Sequence, residues 1–390
     1  MRHHLLSGFL SCALLTVLVA PPSSAKLTLS RSAVVQAKTK LPWLDPSDPY
    51  LIYYESWKNL KQSDIDKIRS HFKLVVVPRE TTREDVARLK VDNGKPKPLV
   101  FGYISIGEDG IKSSASAPPY PGDGCGPCHR ETATPQGQNP KPVGGGETVC
   151  TKQQECQPSA KDAAASYYLD EYKLKPNCDP DNEECLIPGR DGKPDRNSQD
   201  PASGSLFVNT ESFAWREIVK CEAQRLLDEV GCDGLFLDTL DMGLRDVYRW
   251  TRPSMRSLIF ELNQVTPNIM VNRGLFFVEE GEGYSAAEIR EYKNHVWGVM
   301  FENFYISTED QNNGDKWRGV AHGKKAQDWL DTYAKRLEGV QVFALDYINC
   351  KQSDFKKLAD AQRAKVAPLK WRNHITSWLL NEIRYDYKCQ

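Results

Sequence analysis

Net charge is almost absent from this chain: 51 Lys and Arg stand against 52 Asp and Glu, leaving a formal −1 at pH 7. No basic stripe breaks that balance, so no electrostatic footprint for nucleic acid is present and no such partner is expected. No Gly-x-Gly-x-x-Gly turn follows any strand-like run, which argues against an open doubly wound sheet. Beyond the first residues no stretch is apolar for long enough to span a bilayer, so stable membrane insertion is not expected. Neither a heptad pattern nor a second domain argues for assembly, and the oligomeric state stays open.

What is present begins with an export leader. Arg2, His3 and His4 precede an apolar core from Leu5 to Ala20, and the small residues Ser23, Ser24 and Ala25 stand where signal peptidase cuts. Residues 1–25 are therefore expected to be a signal peptide, with a mature start at Lys26 and a secreted or periplasmic destination. Of the 11 cysteines, Cys12 lies inside this leader. The remainder is even in number, which in an exported chain favours disulfides over free thiols or metal ligands.

Six of those cysteines (Cys125, Cys128, Cys150, Cys156, Cys178 and Cys185) crowd into residues 112–205, a region rich in Pro, Gly, Asp and Asn. It reads as a disulfide-stapled insertion on the face where loops open after strands. Cys125-Gly-Pro-Cys128 has the spacing of a thioredoxin-like redox pair. Pro118, Pro119, Pro121, Gly122 and Gly124 precede it where such a pair needs a strand, so a structural disulfide is preferred. A zinc site at His129 finds no second ligand pair, and no metal or cofactor is expected.

Eight β-rich apolar runs of strand length punctuate the rest: 51–56, 73–78, 99–106, 206–210, 235–241, 269–273, 298–304 and 340–348. Helical spacing separates most of them. The clearest case is Glu211 to Val230, where Val219, Ala223, Leu226, Leu227 and Val230 share one face and Gly231 offers a C-cap. Capping boxes are expected at Thr81 with Glu84 and at Ser63 with Asp66. This alternation predicts an α/β fold, a single (β/α)8 TIM barrel with the long disulfide-rich insertion between its third and fourth strands. Residues 26–111 and 206–390 would form the two parts of the barrel.

In such a barrel chemistry sits at the C-terminal strand tips. The acids there are Glu55, Glu108, Asp238, Asp241, Glu302 and Asp346. Glycoside hydrolysis needs two carboxyls across the scissile bond, one protonated and one ionised. Asp238 and Glu302 are the preferred catalytic pair, since each closes an apolar strand whose rigid, low-dielectric walls can separate two pKa values. Each acid has a structural alternative, as a helix cap or as the partner of Arg245, Arg249 or Arg273. Tyr53, Tyr54, Trp57, Tyr103, Tyr305 and Tyr347 offer flat rings for sugar faces, or equally for packing.

Four motifs in order, Tyr103 to Glu108 (YISIGE), Gly231 to Asp238 (GCDGLFLD), Val271 to Gly274 (VNRG) and Phe301 to Phe304 (FENF), resemble successive strand motifs of the family 114 glycoside hydrolases. These are the endo-α-1,4-polygalactosaminidase-like barrels. The resemblance runs from about Tyr50 to Tyr347 and excludes the cysteine-rich insertion. It implies a retaining endo-hydrolase with Asp238 as nucleophile and Glu302 as acid/base. The implied substrate is an α-1,4-linked exopolysaccharide containing galactosamine. Tyr54, Tyr103, Glu108, Asp241, Asn272, Tyr305 and Asp346 would bind it, the acids by charge-assisted hydrogen bonds to ammonium groups. Two other classes stay open: an exported carbohydrate-binding barrel without turnover, and a redox or metal protein built on the insertion.

Overall fold

The computed structural model describes residues 39–92, 94, 96–109, 167–175, 186–189, 195, 205–307, 331–348, 355–377 and 380–385. Eight parallel strands form one sheet in chain order: β1 Tyr50–Ile52, β2 Leu74–Val77, β3 Leu99–Ser105, β4 Gly234–Asp238, β5 Ile269–Asn272, β6 Gly298–Ser307, β7 Gln341–Tyr347 and β8 Arg372–Thr376. The two outer strands approach each other, with the Tyr50 ring 5.3 Å from that of His374, so the sheet is a nearly closed barrel. Helices α1 Gln62–His71, α2 Arg83–Lys90, α3 Phe213–Gln224, α4 Arg252–Val265, α5 Ala286–His295 and α6 Phe355–Val366 punctuate the strands.

Strand alternation divides the apolar side chains into two cores. Tyr50, Ile52, Leu74, Val76, Phe101, Phe236, Met270, Met300, Phe343 and Leu345 fill the lumen. Their neighbours Leu51, Val75, Val77, Val100, Leu235, Leu237, Val271, Val299 and Val342 face the helices. Large rings fit in the lumen because glycine supplies the facing positions. A Cβ on Gly234 would stand 2.7 Å from the Phe101 ring, and one on Gly298 would stand 2.8 Å from Phe343.

Seven of the eight expected runs are barrel strands, and the exception is informative. Leu206–Phe207 pairs antiparallel with Glu108–Asp109, and Val208 bridges to Tyr168, so this run belongs to a small flap that continues β3. The fourth barrel strand is instead Gly234–Asp238, and the barrel is completed by Arg372–Thr376. That last strand is polar in sequence (Arg-Asn-His-Ile-Thr) yet buried at four of its five positions. Periodicity of apolar residues therefore passes over it.

The helix after residue 211 begins at Phe213, and its last turn ends at Gly231 in a left-handed conformation (φ 91°), as the C-cap expectation requires. The capping boxes are shifted from their expected residues. Thr82 and Asp85 cap α2, and Asp64 accepts from the Lys61 N–H at α1. Most of the cysteine-rich insertion lies outside the described residues, as do Cys125, Cys128, Cys150, Cys156, Cys178 and Cys185 and any disulfides among them. Its described parts include a short antiparallel pair, Tyr172–Leu174 with Leu186–Pro188, and Asp195, which accepts from the Tyr248 hydroxyl at 2.9 Å. Residues 1–25 lie outside the described residues as well. Among the described residues no helix is long and apolar enough to cross a membrane.

Candidate active site

Alternation sends Phe236 and Asp238 of β4, Met270 and Asn272 of β5, Met300 and Glu302 of β6, and Leu345 and Tyr347 of β7 to the same side. The apolar member of each pair lies in the lumen. The polar member follows two residues later and forms the layer above, at the C-terminal ends of the strands.

Asn272 ties this layer together. Its amide nitrogen donates to Asp238 Oδ1 at 2.8 Å and to Glu302 Oε2 at 2.5 Å. Two oxygens bonded to one nitrogen cannot be farther apart than those two lengths combined. The two bridged oxygens are therefore close enough for one small group to touch both carboxyls. Glu302 Oε1 accepts from the Tyr347 hydroxyl at 2.6 Å. Asp238 Oδ1 also accepts from the backbone N–H of Thr239 at 2.7 Å, and Tyr103 donates its phenol to Asp238.

Backbone geometry after two of these strands serves the same layer. Thr239 (φ 61°) and Arg273 (φ 57°), the residues following Asp238 and Asn272, both adopt left-handed conformations. A β-branched residue there costs on the order of 1–3 kcal/mol and persists only where its surroundings fix it. Thr239 is fixed by Ser105 Oγ at 2.7 Å and by the Gly107 N–H at 2.9 Å, both on its hydroxyl. A Cβ at Gly107 would stand 2.3 Å from the Thr239 carbonyl oxygen, so glycine is needed there. The turn at Arg273 accompanies a guanidinium 2.7 Å from Asp241 and 3.9 Å from Glu302.

The electrostatics follow from burial of like charges. Asp238 is pushed up to about 6 by burial first, then by the charges of Glu302 and Asp241, against the hydrogen bonds from Asn272 and the Thr239 N–H. Burial disfavours the Arg273 cation, but Glu302 and Asp241 outweigh it and its pKa is raised. Tyr54, Tyr103 and Tyr347 are each raised well above the phenol range, by burial first and then by the neighbouring carboxylates, so all three stay protonated donors.

Of the expected site residues, Asp238, Glu302, Asn272, Tyr54, Tyr103 and Asp241 come together. The Tyr54 and Tyr103 rings meet edge to face at 5.0 Å. Glu108 lies near enough to raise Tyr103 and accepts from Ser205 at 2.8 Å. Tyr305 is on β6, and its side chain lies outside the described residues.

Asp346 is corrected. It has the parity of Val342 and Ala344, which pack in the helix-facing core, and it is fully buried, so it points away from the lumen and does not line this layer. Glu55 is exposed, and Trp57 packs edge to face on Tyr53 in the core, which gives those two rings a packing role. Tyr347 is a hydrogen-bond donor to an acid. Its neighbour Arg273, inside the Val271 to Gly274 motif, is paired with Asp241 and reaches toward Glu302. A cavity of about 510 Å³ between Arg249, Arg252, Arg256 and Tyr284 contains none of the expected site residues. Among the described residues no group of three or more His, Cys, Asp and Glu side chains is arranged to hold a metal ion.

No family model matches the chain. Its sequence is 24% identical over 169 residues to a 4-hydroxy-3-methylbut-2-en-1-yl diphosphate synthase (ferredoxin) of Synechococcus elongatus, covering 38% of this chain and 41% of the synthase. It is 26% identical over 136 residues to the same enzyme of Picosynechococcus, covering 33% of each. The chain thus spans less than half the length of the synthases it matches. Among solved structures it is similar to Ega3 of Aspergillus fumigatus in complex with galactosamine, with TM-score 0.45, 12% identity, and coverage of 90% of this chain and 99% of that one. It is also similar to an α-amylase of Geobacillus thermoleovorans complexed with acarbose, with TM-score 0.38, 10% identity, and coverage of 85% and 70%. Likenesses this distant carry no argument about chemistry, which has to come from the site itself.

Proposed function

We propose that this protein is a secreted retaining glycoside hydrolase of the family 114 kind, acting within an α-1,4-linked polysaccharide that contains galactosamine. The observation that supports this is the Asn272 bridge, in which one amide nitrogen touches two strand-end carboxyls, the close approach a double displacement would use. Asp238 attacks the anomeric carbon as the bond to the departing oxygen breaks, and Glu302 gives that oxygen its proton. Glu302 then takes a proton from water, which attacks the anomeric carbon and releases Asp238.

The charge balance of the site supports an amino sugar. Asp241 and Glu302 flank one guanidinium, with Asp238 near enough to act on it, leaving an excess of negative charge at the tips of β4 and β6. Burial opposes the ionised form of Asp238. An ammonium group arriving beside Asp238 would favour its ionised form, which attack on the anomeric carbon needs. Tyr54 and Tyr103 offer rings and hydroxyls to the same sugar.

The test is incubation of the purified protein with deacetylated α-1,4-galactosamine polymer, beside Asp238→Asn and Glu302→Gln. The parent should release oligosaccharides and the variants should not. Binding of the polymer without release by the parent would identify a carbohydrate-binding barrel instead.

A further inference from the structure

Glu302 is held on both carboxyl oxygens, and by different residues. Oε2 takes the Asn272 amide that also reaches Asp238, whereas Oε1 takes the phenol of Tyr347 at 2.6 Å. Tyr347 is the last residue of β7, only 1% exposed, and it points inward with Phe343 and Leu345. A fully buried phenol on a rigid strand tip has one orientation to offer.

This contact makes the two oxygens of Glu302 unequal. Oε1 accepts from a phenol on β7 and Oε2 from an amide on β5, so the orientation of the carboxyl is fixed from both sides. Oε2 shares its amide donor with Asp238 and so lies on the side where a sugar between the two acids would sit.

We propose that Tyr347 is a positioning residue that holds the Glu302 carboxyl by Oε1 and thereby turns Oε2 toward the bond lying between it and Asp238. The catalytic consequence rests on the hydrolase proposal above; the contact itself does not. Among the described residues, the other groups facing Glu302 are Asp238 from β4, Asn272 and Arg273 from the end of β5, and Tyr54 from the end of β1. Arg273 is drawn to Asp241 and stands 3.9 Å from Oε2. Among the described residues, Tyr347 supplies the donor on the Oε1 side.

The sign of the effect is fixed. A hydrogen bond to the ionised form favours it, so removing the phenol hydroxyl makes Glu302 harder to ionise. The experiment is a carboxyl ¹³C NMR titration of the full chain and of Tyr347→Phe without substrate, followed by pH profiles of polymer cleavage. The Glu302 midpoint should rise by about one unit, a tenfold change. In cleavage, kcat should fall about tenfold with KM within about twofold, and the alkaline limb should move up with the midpoint.

An unchanged Glu302 midpoint, or an unchanged profile in an active variant, would overturn the proposal. A moved midpoint in a protein that never cleaves the polymer would leave the contact's role intact and remove the hydrolase proposal instead. If Tyr347→Phe does not fold, 3-fluorotyrosine at position 347 keeps the shape and strengthens the donor. The midpoint should then fall, and a rise or no change would count against the proposal.

Discussion

The lumen of this barrel holds two adjacent layers made by one rule and filled with opposite chemistry. In the lower layer Phe101, Phe236, Met270, Met300 and Phe343 pack as hydrocarbon against Gly234 and Gly298. Further along the same strands, Asp238, Asn272, Glu302 and Tyr347 form one hydrogen-bonded set. The lower layer can be rigid at no electrostatic cost. The upper one gathers carboxylates in a low-dielectric setting, and its strain shows as a raised Asp238 and two left-handed strand ends. The contrast teaches that the apolar layer makes the polar one possible, by fixing where each acid begins.

Breaking the upper layer should produce the largest change. Glu302→Gln should reduce polymer cleavage by roughly 10²- to 10⁴-fold, the usual contribution of a positioned acid/base. Its thermal unfolding should match that of the parent within a few degrees. Breaking the lower layer reverses the pattern. Phe101→Ala should cost about 3 to 5 kcal/mol in denaturant unfolding through lost transfer energy and a cavity.

A third change sharpens the comparison through pH. Asp238 titrates higher in the fold than in the unfolded chain, so its ionised form costs stability, a cost absent below the unfolded pKa and fully developed once pH passes about 6. Asp238→Asn should therefore stabilise the protein at pH 7.5 by on the order of 2 to 3 kcal/mol, and hardly at all near pH 3.5. Thermal melts at the two values check this. A gain of equal size at both would mean that charge is not what strains the site. The smallest expected effect belongs to Asp346→Asn, which should leave KM for the polymer within about twofold while changing only stability, because this side chain faces the helices. A KM raised tenfold would return Asp346 to the mouth.

Much of this was legible in the sequence where burial and chemistry coincide. Leu-Phe-Leu-Asp and Val-Met-Phe-Glu announce both strands and both acids, because an apolar run ending in a carboxylate has few other uses at a barrel tip. Three features were not legible. Arg372–Thr376 is a buried strand whose Arg372 and His374 are enclosed by tertiary structure, and no local pattern encodes that. Leu206–Phe207 has the composition of a strand but the partner of a flap, since pairing is decided by Glu108–Asp109 elsewhere in the chain. Asp346 failed on parity: a one-residue difference from Tyr347 sends a side chain to the opposite face, and run boundaries alone do not fix that phase.

The most direct measurement is the anomeric configuration of the first reducing ends released from deacetylated α-1,4-galactosamine polymer, followed by ¹H NMR before mutarotation. Acids bridged by one amide should act by double displacement and release the α-anomer first. Initial β-anomer would contradict the pairing of Asp238 with Glu302 as nucleophile and acid/base.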